Sequence, residues 1–264
     1  MLRSARAFAP GSVTTVFVPA TDPDGGSLGV SVAVADGVAA TVRPANETTV
    51  SLDGRETAFD PVERALAALD LTATVDLEAT VPVGRGFGAS GAATLATALA
   101  ADEVFDLGRS RAALVDVAHR AEVAAGTGLG DVFVQARGGL VWNAGDGIRR
   151  AESDADLSYT SYGGIATEEV LGDDDALDRV RVAGRDALAA LDPHGPVDAL
   201  VERSWRFARE TGLVTDRVER AVSRVERAGG VGTMAMVGET VVAVGAGDAL
   251  ASTTRATNEG ARLR

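Results

Sequence analysis

The stretch PVGRGFGASGAA, residues 82–93, places three glycines on alternate positions directly before an alanine-rich segment. Residues 92–101 contain only alanine, threonine and leucine, so they predict a helix that neither glycine nor proline interrupts. Glycines let a ligand approach the main chain, and the first turn of a helix offers unpaired N–H groups at its positive dipole end. The stretch therefore predicts an anion site suited to a phosphate group, with Ser90 at the helix entrance as a cap or a metal ligand.

The same glycines also fit a dinucleotide fingerprint, G-x-G-x-x-A at residues 84–89, which two acidic residues at 102–103 follow at nearly the required distance. The segment before the loop, residues 72–81, alternates apolar and polar side chains, which indicates a strand with one wet face in an antiparallel or mixed sheet. A dinucleotide site needs a central parallel strand instead, and its acidic residue ends a second strand. Phosphate binding is therefore the favoured interpretation, and a structural glycine loop without a ligand is the other alternative.

Composition excludes several kinds of chemistry. The 264 residues include no cysteine, which excludes disulfides, thiolate metal sites and a cysteine nucleophile, and which is typical of a reducing compartment. All 25 basic residues are arginine, so a phosphate-loop lysine is excluded as well. No run of 18 uncharged apolar residues occurs, and we expect a soluble, cytoplasmic protein.

The formal charge of −13 predicts which partners the chain avoids. Nucleic acids and anionic membranes are bound by cationic side chains that neutralise phosphates, so we expect neither as a partner. A surplus of carboxylates without lysine is also what a protein working in concentrated salt would carry, because salt screens the self-repulsion. An arginine-biased genome would explain the missing lysine equally well, but it would not explain the acidity.

The periodicity of apolar residues predicts strands and helices that alternate along the chain. A cluster of charged and turn residues at 152–156 marks the predicted boundary between two domains, residues 1–155 and 156–264. We expect the last ten residues, which are polar, to be frayed. The predicted strands are 13–18, 28–34, 38–43, 72–81, 138–143, 148–151, 157–162, 231–237 and 240–245, and the predicted helices are 60–69, 92–101, 110–125, 176–191, 197–211 and 215–228.

A second group of chemically capable residues follows the glycine stretch. His119 and Glu122 are three residues apart on the predicted helix 110–125 and share a face, and Asp131 follows the glycine-rich break at 126–130. Two carboxylates placed in this way could supply a magnesium ligand and a base that faces a substrate hydroxyl.

Each of these three residues also has an ordinary structural interpretation. Glu122 could be a solvated helix residue, and Asp131 could be the N-cap of a helix over residues 132–136. His119 taken alone is more typical of a core or surface histidine than of a functional one.

Four segments together carry a resemblance to a known family. Residues 82–93 resemble the phosphate-binding motif of the GHMP kinase superfamily. Together with APGSVT at 9–14, HRAE at 119–122 and TGLGDV at 127–132, they are similar to the archaeal pantoate kinases within that superfamily. The resemblance implies an α+β, two-domain GHMP kinase fold, with an N-terminal mixed sheet and helices followed by a C-terminal ferredoxin-like domain.

The resemblance also implies an activity and a site. The activity is ATP-dependent phosphorylation of the primary hydroxyl of pantoate in coenzyme A biosynthesis, and some members of the superfamily are homodimers. Ser90 and Glu122 would hold Mg²⁺, Asp131 would orient or deprotonate the attacking hydroxyl, and Ser27, His119 and Thr167 would line the acceptor pocket. The residues implied for ATP binding are Pro82, Gly84, Gly86, Phe87, Gly88, Ala89, Ser90 and Gly91.

The chain departs from the family pattern at three positions. Ser12 stands where the family usually has histidine, and Ala89 replaces the first serine of the superfamily's pair. Asn143 stands where a basic residue is expected, so the carboxylate of the acceptor would need Arg137 or Arg149. The alternatives that the sequence leaves open are a homoserine-type or mevalonate-type kinase, a nucleotide-binding module without transfer and, more distantly, an oxidoreductase.

Overall fold

The computed structural model describes residues 3–19, 27–128, 130–164, 174–236 and 238–264. Eight strands form a first sheet in the order β12-β1-β2-β5-β3-β4, with β6 also paired to β2 and β7 paired to β6. The strands are β1 (Ala5–Val18), β2 (Leu28–Pro44), β3 (Thr49–Leu52), β4 (Arg55–Glu56), β5 (Ala73–Ala79), β6 (Leu140–Asn143), β7 (Ile148–Ala151) and β12 (Arg262–Leu263).

The strand that precedes the glycine stretch confirms the prediction of a mixed sheet. β5 runs antiparallel to β2 and parallel to β3. Ala73, Val75 and Leu77 are buried, and the residues between them are partly exposed, as the alternation predicts. Asp102 and Glu103 lie inside a helix and not at the end of a strand, which agrees with the choice against a dinucleotide site.

The prediction of two separate strands at 28–34 and 38–43 is wrong. β2 continues through this region as one strand. Pro10 of β1 pairs with Gly37 and Gly11 pairs with Val34, so residues 35–36 of β2 are left unpaired in a bulge. Gly37 permits the close pairing, since a Cβ there would overlap the carbonyl oxygen of Ala9.

Among the described residues, the helices that pack together beside the first sheet are α1 (Asp60–Ala68), α2 (Ala89–Phe105), α3 (Arg111–Ala124) and α4 (Asp131–Arg137), of which α2 and α4 contact β1 and β2. Residues 91–101 of α2 are all buried, since this helix lies between the sheet and its neighbours α1 and α3. Its alanines allow that close approach on every side. The helix begins three residues before the predicted start at residue 92, directly after Gly88.

A second, antiparallel sheet has the order β11-β8-β10-β9. It consists of β8 (Asp156–Gly164), β9 (Val231–Ala235), β10 (Gly238–Val244) and β11 (Ser252–Arg255). Helix α5 (Asp174–Ala189) packs against β1 and against α6 (Val197–Thr211), while α6 and α7 (Asp216–Arg227) pack against β9 and β10. The α+β class with a mixed first sheet is confirmed, whereas the ferredoxin-like assignment and the division after residue 155 stay predictions. No helix among the described residues is both long and apolar enough to cross a lipid bilayer.

The expectation of a frayed C-terminus is wrong. Ala256 is buried and forms a bridge with Val34, and β12 pairs with β1 through Leu263 and Ala7. The side chains of this segment are mostly polar, but its main chain is held by these sheet bonds and by Ala261, whose N–H donates to a carbonyl of α4. Composition reports side-chain polarity and does not report where backbone hydrogen bonds go.

Candidate active site

The glycine stretch forms a tight loop that leads into α2. Gly84, Gly86 and Gly88 adopt positive φ angles of 69°, 85° and 60°, a conformation that favours glycine. Gly88 is the N-cap of α2, so the first free N–H groups of the helix follow it directly. Ser90 does not cap the helix as one alternative predicted, because its hydroxyl donates to Glu122 instead.

The loop is fixed to both sheets. Phe87 is 1% exposed and packs edge-on against Tyr159 of β8, with ring centroids 4.7 Å apart. The N–H of Ser12 in β1 donates to the carbonyl of Phe87 at 2.9 Å, and Thr240 Oγ1 of β10 donates to the carbonyl of Arg85 at 2.7 Å. A rigid loop of this kind holds its N–H groups ready for an anion before the anion arrives.

Glu122 is 2% exposed, so the interpretation as a solvated helix residue is wrong. Its Oε1 accepts hydrogen bonds from Ser90 Oγ at 2.8 Å and Thr94 Oγ1 at 2.7 Å, and its Oε2 accepts one from Thr127 Oγ1 at 2.9 Å. Burial raises the pKa of Glu122, which the three hydroxyl donors oppose and the nearby charge of Asp131 reinforces. Glu122 is therefore a buried carboxylate whose hydrogen bonds come from three hydroxyls, and not a surface residue.

Asp131 is the first residue of α4, and Gly130 is the N-cap, so the N-cap interpretation of Asp131 is wrong. Its Oδ1 accepts hydrogen bonds from Ser12 Oγ at 2.8 Å and Thr14 Oγ1 at 3.3 Å. Among the described residues, none donates a hydrogen bond to its Oδ2. Burial raises the pKa of Asp131, and the two hydroxyl donors oppose that rise.

These groups meet at a cleft of about 750 Å³ between the glycine loop, α3, α4 and strands β1, β2 and β6. Clefts of this size hold small molecules. Of the residues predicted for the site, those that line it are Ser27, Gly84, Gly86, Phe87, Gly88, Ala89, Ser90, His119 and Asp131. Pro82, Gly91 and Glu122 do not line it; Glu122 lies behind Ser90. Thr167 lies outside the described residues.

His119 lines the cleft as a half-buried, neutral imidazole. Its ring lies 4.7 Å from that of Phe133, centroid to centroid, and its Nδ1 is buried without a partner among the described residues. Burial lowers the pKa of His119, a shift that Asp116 opposes and Arg120 reinforces. The lowered pKa favours the neutral form of the imidazole.

Comparison with known proteins identifies the family. The family model for the GHMP kinases N terminal domain matches residues 57–139. The pantoate kinase of Thermococcus kodakarensis is 31% identical over 247 residues, which cover 84% of this chain and 81% of that protein. The chain belongs to the pantoate kinase family. The pantoate kinase of Methanospirillum hungatei is 26% identical over 260 residues, covering 92% of this chain and 88% of that protein.

Solved structures of other proteins share the fold of this chain. A phosphotransferase related to the CoA biosynthesis pathway superimposes with a TM-score of 0.85 at 23% identity, covering 99% of this chain and 98% of that one. Mevalonate diphosphate decarboxylase from Staphylococcus aureus superimposes with a TM-score of 0.75 at 14% identity, covering 100% and 98%. At these identities the likeness establishes the fold alone.

The two arginines that were predicted to bind the acceptor carboxylate, Arg137 and Arg149, do not face the cleft. Arg137 donates to the carbonyl of Phe133, and Arg149 pairs with Asp146; neither lines the cleft, although Asn143 does. Within the described part of the chain, Arg85 of the glycine loop supplies the one guanidinium on the cleft wall. Its side chain has no hydrogen bond or ion pair with another described residue.

Sequence reasoning missed Arg85, Thr14 and Gln135, and it left the role of Ser12 undecided. Arg85 lay within the quoted motif, and its charge among glycines was a signal that could have found it. Ser12 and Thr14 are more than 100 residues from Asp131 in the chain, and no local pattern relates them. Their contact depends on the packing of β1 against α4.

Proposed function

We propose that this chain transfers the γ-phosphoryl group of ATP to the primary hydroxyl of (R)-pantoate, giving ADP and 4-phosphopantoate, a step of coenzyme A biosynthesis. The observation that carries the proposal is the placement of Asp131 in the same cleft as the glycine loop, with one carboxylate oxygen free of hydrogen bonds from described residues. The membership of the pantoate kinase family supports the acceptor.

The triphosphate would lie on the loop at residues 84–90. The start of α2 presents main-chain N–H groups and a positive dipole end, and Gly84 and Gly86 allow phosphates to approach the backbone. Phosphoryl transfer depends mainly on positioning and on charge neutralisation, so a site without lysine is adequate for it.

The residues present fit a magnesium ion. Mg²⁺ takes hard oxygen ligands, usually one or two from the protein, and keeps waters and substrate phosphates for the rest. Ser90 Oγ and the Glu122 carboxylate are two such oxygens, 2.8 Å apart beside the loop. The described residues contain no group of three or more histidine or acidic side chains that could hold a metal ion. When bound, the ion would neutralise charge on the transferred phosphate.

Asp131 would act on the acceptor. Its Oδ2 would accept the hydrogen bond of the pantoate hydroxyl, and the proton would pass to this oxygen as the hydroxyl oxygen bonds to the γ-phosphorus. The bond from the γ-phosphorus to the bridging oxygen breaks, and ADP takes that electron pair. The raised pKa of Asp131 makes this carboxylate a stronger base than an exposed aspartate.

The acceptor pocket would lie at the Ser27 and His119 end of the cleft, with Thr167 as a further proposed contact. Pantoate carries two methyl groups beside its reacting carbon. Phe17, Trp142 and Met236 give the cleft apolar surface that such methyl groups could contact.

Arg85→Gln is expected to raise the KM for MgATP about tenfold with little change in the KM for pantoate, because a hydrogen bond to a charged phosphate is lost. Steady-state kinetics with each substrate varied would measure both constants. Arg149→Gln is the matched control, since Arg149 pairs with Asp146 away from the cleft. A rise in the KM for pantoate alone would instead assign Arg85 to the acceptor carboxylate.

The direct test is incubation of the purified protein with MgATP and D-pantoate, followed by mass spectrometry for a phosphorylated acid. Parallel incubations with homoserine, with mevalonate and with ATP alone distinguish the alternatives. Phosphorylation of homoserine or mevalonate with pantoate unchanged would refute the proposed acceptor. Nucleotide binding without any transfer would indicate a non-catalytic module.

We also place the protein in the cytoplasm and in concentrated salt. The chain carries 38 acidic residues against 25 arginines, and high salt screens the resulting repulsion. The incubations should therefore be made at millimolar and at molar KCl, with higher activity expected in the latter. A homodimer stays a prediction from the superfamily.

A further inference from the structure

Gln135 is the only glutamine of the chain, and its side chain is fully buried. It lies one helical turn after Asp131 on α4, so both side chains project from the same face. Its Nε2 donates to the carbonyl of Gly88 at 2.6 Å and to Ser12 Oγ at 3.3 Å. A carbonyl can only accept, so the amide nitrogen must face Gly88, and the reversed amide orientation is excluded.

This orientation determines where the Ser12 proton points. The hydroxyl of Ser12 has one proton, and an N–H of Gln135 occupies one of its lone pairs. The remaining near partner is Asp131 Oδ1 at 2.8 Å, which can only accept while it is ionised. Ser12 is fully buried, so bulk water does not compete for its proton. The donors therefore run in one direction, from Gln135 to Ser12 to Asp131.

Gly88 of the loop and Gly91 in the first turn of α2 make room for this arrangement. A Cβ on Gly88 would overlap Ser12 Oγ and would lie 2.7 Å from Gln135 Nε2, and a Cβ on Gly91 would lie 2.8 Å from Gln135 Oε1. The Oε1 atom itself is buried without a hydrogen-bond partner among the described residues. An unsatisfied buried acceptor costs stability, and the two hydrogen bonds that Nε2 donates offset part of that cost.

We propose that Gln135 is a positioning residue, which acts through Ser12 to fix the position of the Asp131 carboxylate relative to the phosphate loop. The inference rests on the proposed function of Asp131. Gln135 bonds the loop with one N–H and Ser12 with the other, so the nucleotide site and the base are joined by one side chain. Oδ1 of Asp131 is then engaged, and Oδ2 is the oxygen left for the acceptor hydroxyl.

A double-mutant cycle with Gln135→Leu and Ser12→Ala tests the relay. Ser12→Ala is expected to lower kcat roughly tenfold, the effect of losing a hydrogen bond to a charged group. Gln135→Leu is expected to lower kcat by a similar factor, because Ser12 loses the donor that orients its hydroxyl toward Asp131, while the KM for MgATP changes little in both variants. The double variant should be no slower than the slower single variant, because both substitutions break the same chain of donors. Losses that multiply, or an unchanged kcat in either single variant, would overturn the proposal.

Urea unfolding measures the stability of each variant. If Gln135→Leu does not fold, the double-mutant cycle is repeated with Gln135→Met, which places a flexible apolar side chain of similar length at this position. Ser204→Ala is the control for Ser12→Ala: Ser204 is also a fully buried serine with one hydrogen bond, to Thr15 Oγ1 at 3.0 Å, and it lies outside the cleft. It is expected to lose stability and to keep the wild-type kcat.

A measurement without turnover separates this proposal from the proposed function. Because the chain has a single glutamine, labelling with side-chain ¹⁵N-glutamine gives one pair of NH₂ signals. Ser12→Ala should shift that pair, and Ser204→Ala should leave it in place. If the wild-type protein is inactive but Ser12→Ala still shifts the NH₂ signals, the proposed function is refuted and the contact stands. If Ser12→Ala leaves the NH₂ signals unchanged, the contact between Gln135 and Ser12 is refuted.

Discussion

Asp131→Asn should lower kcat about 10²- to 10⁴-fold, the usual contribution of a positioned general base. The asparagine carbonyl can still accept from Ser12 and Thr14, so the local geometry is retained. The amide NH₂ then stands where Oδ2 was, and it cannot accept the proton of the acceptor hydroxyl. Steady-state kinetics at saturating MgATP and pantoate measure the loss, and the KM for MgATP should stay close to that of the wild type.

The same variant has an expected effect on stability with a definite sign. Burial raises the pKa of Asp131, so folding disfavours the ionised form, and the wild type loses stability as the pH rises from the ordinary aspartate pKa through the raised one. Asparagine carries no charge and avoids that loss. Urea unfolding should therefore find the variant as stable as the wild type or more stable at neutral pH, with the difference vanishing in acid.

Asp116→Asn is the matched control for this substitution, because Asp116 is an exposed aspartate of α3 that pairs with Arg120. It should keep wild-type turnover. Near-normal turnover in Asp131→Asn would remove Asp131 from the mechanism, and a variant that is inactive and also unfolded would call for Asp131→Ser as a second test.

Glu122→Gln is expected to lower kcat roughly 10²-fold, which is the scale for removing one preorganised electrostatic group. The glutamine carbonyl can replace Oε1 as the acceptor for Ser90 and Thr94, and the hydroxyl of Thr127 can accept from the new NH₂. The fold is therefore retained, and what is lost is the negative charge beside the cation site. Kinetics with Mg²⁺ varied should show a higher concentration for half-maximal rate.

The pH dependence gives an independent check on Glu122. Because burial raises its pKa, the wild-type carboxylate protonates at a higher pH than an exposed glutamate, and its Mg²⁺ requirement should rise as the pH falls through that range. In Glu122→Gln this rise should be absent. Glu103→Gln, on the exposed surface of α2, is the control and should behave as the wild type. A Mg²⁺ requirement that is the same in both proteins would exclude Glu122 as a ligand.

Local patterns predicted most of the elements. The alternation in β5 predicted a mixed sheet with one wet face, and the alanine-rich run predicted α2, because both signals depend on side chains a few residues apart. The same signals failed where pairing of main-chain groups decides the structure. β2 bulges and continues past Gly37, and the polar C-terminus is held by sheet bonds to β1.

The amino-acid sequence establishes which chemistry is available: glycines that can adopt positive φ, a helix entrance for an anion, no lysine, and carboxylates at 122 and 131. Tertiary structure alone decided what those carboxylates are. It buries Glu122 under three hydroxyls, and it brings Ser12 and Thr14 to Asp131 across more than 100 residues of chain. Burial and hydrogen bonding set the pKa and the orientation of an acid, and both depend on neighbours that folding supplies from distant segments.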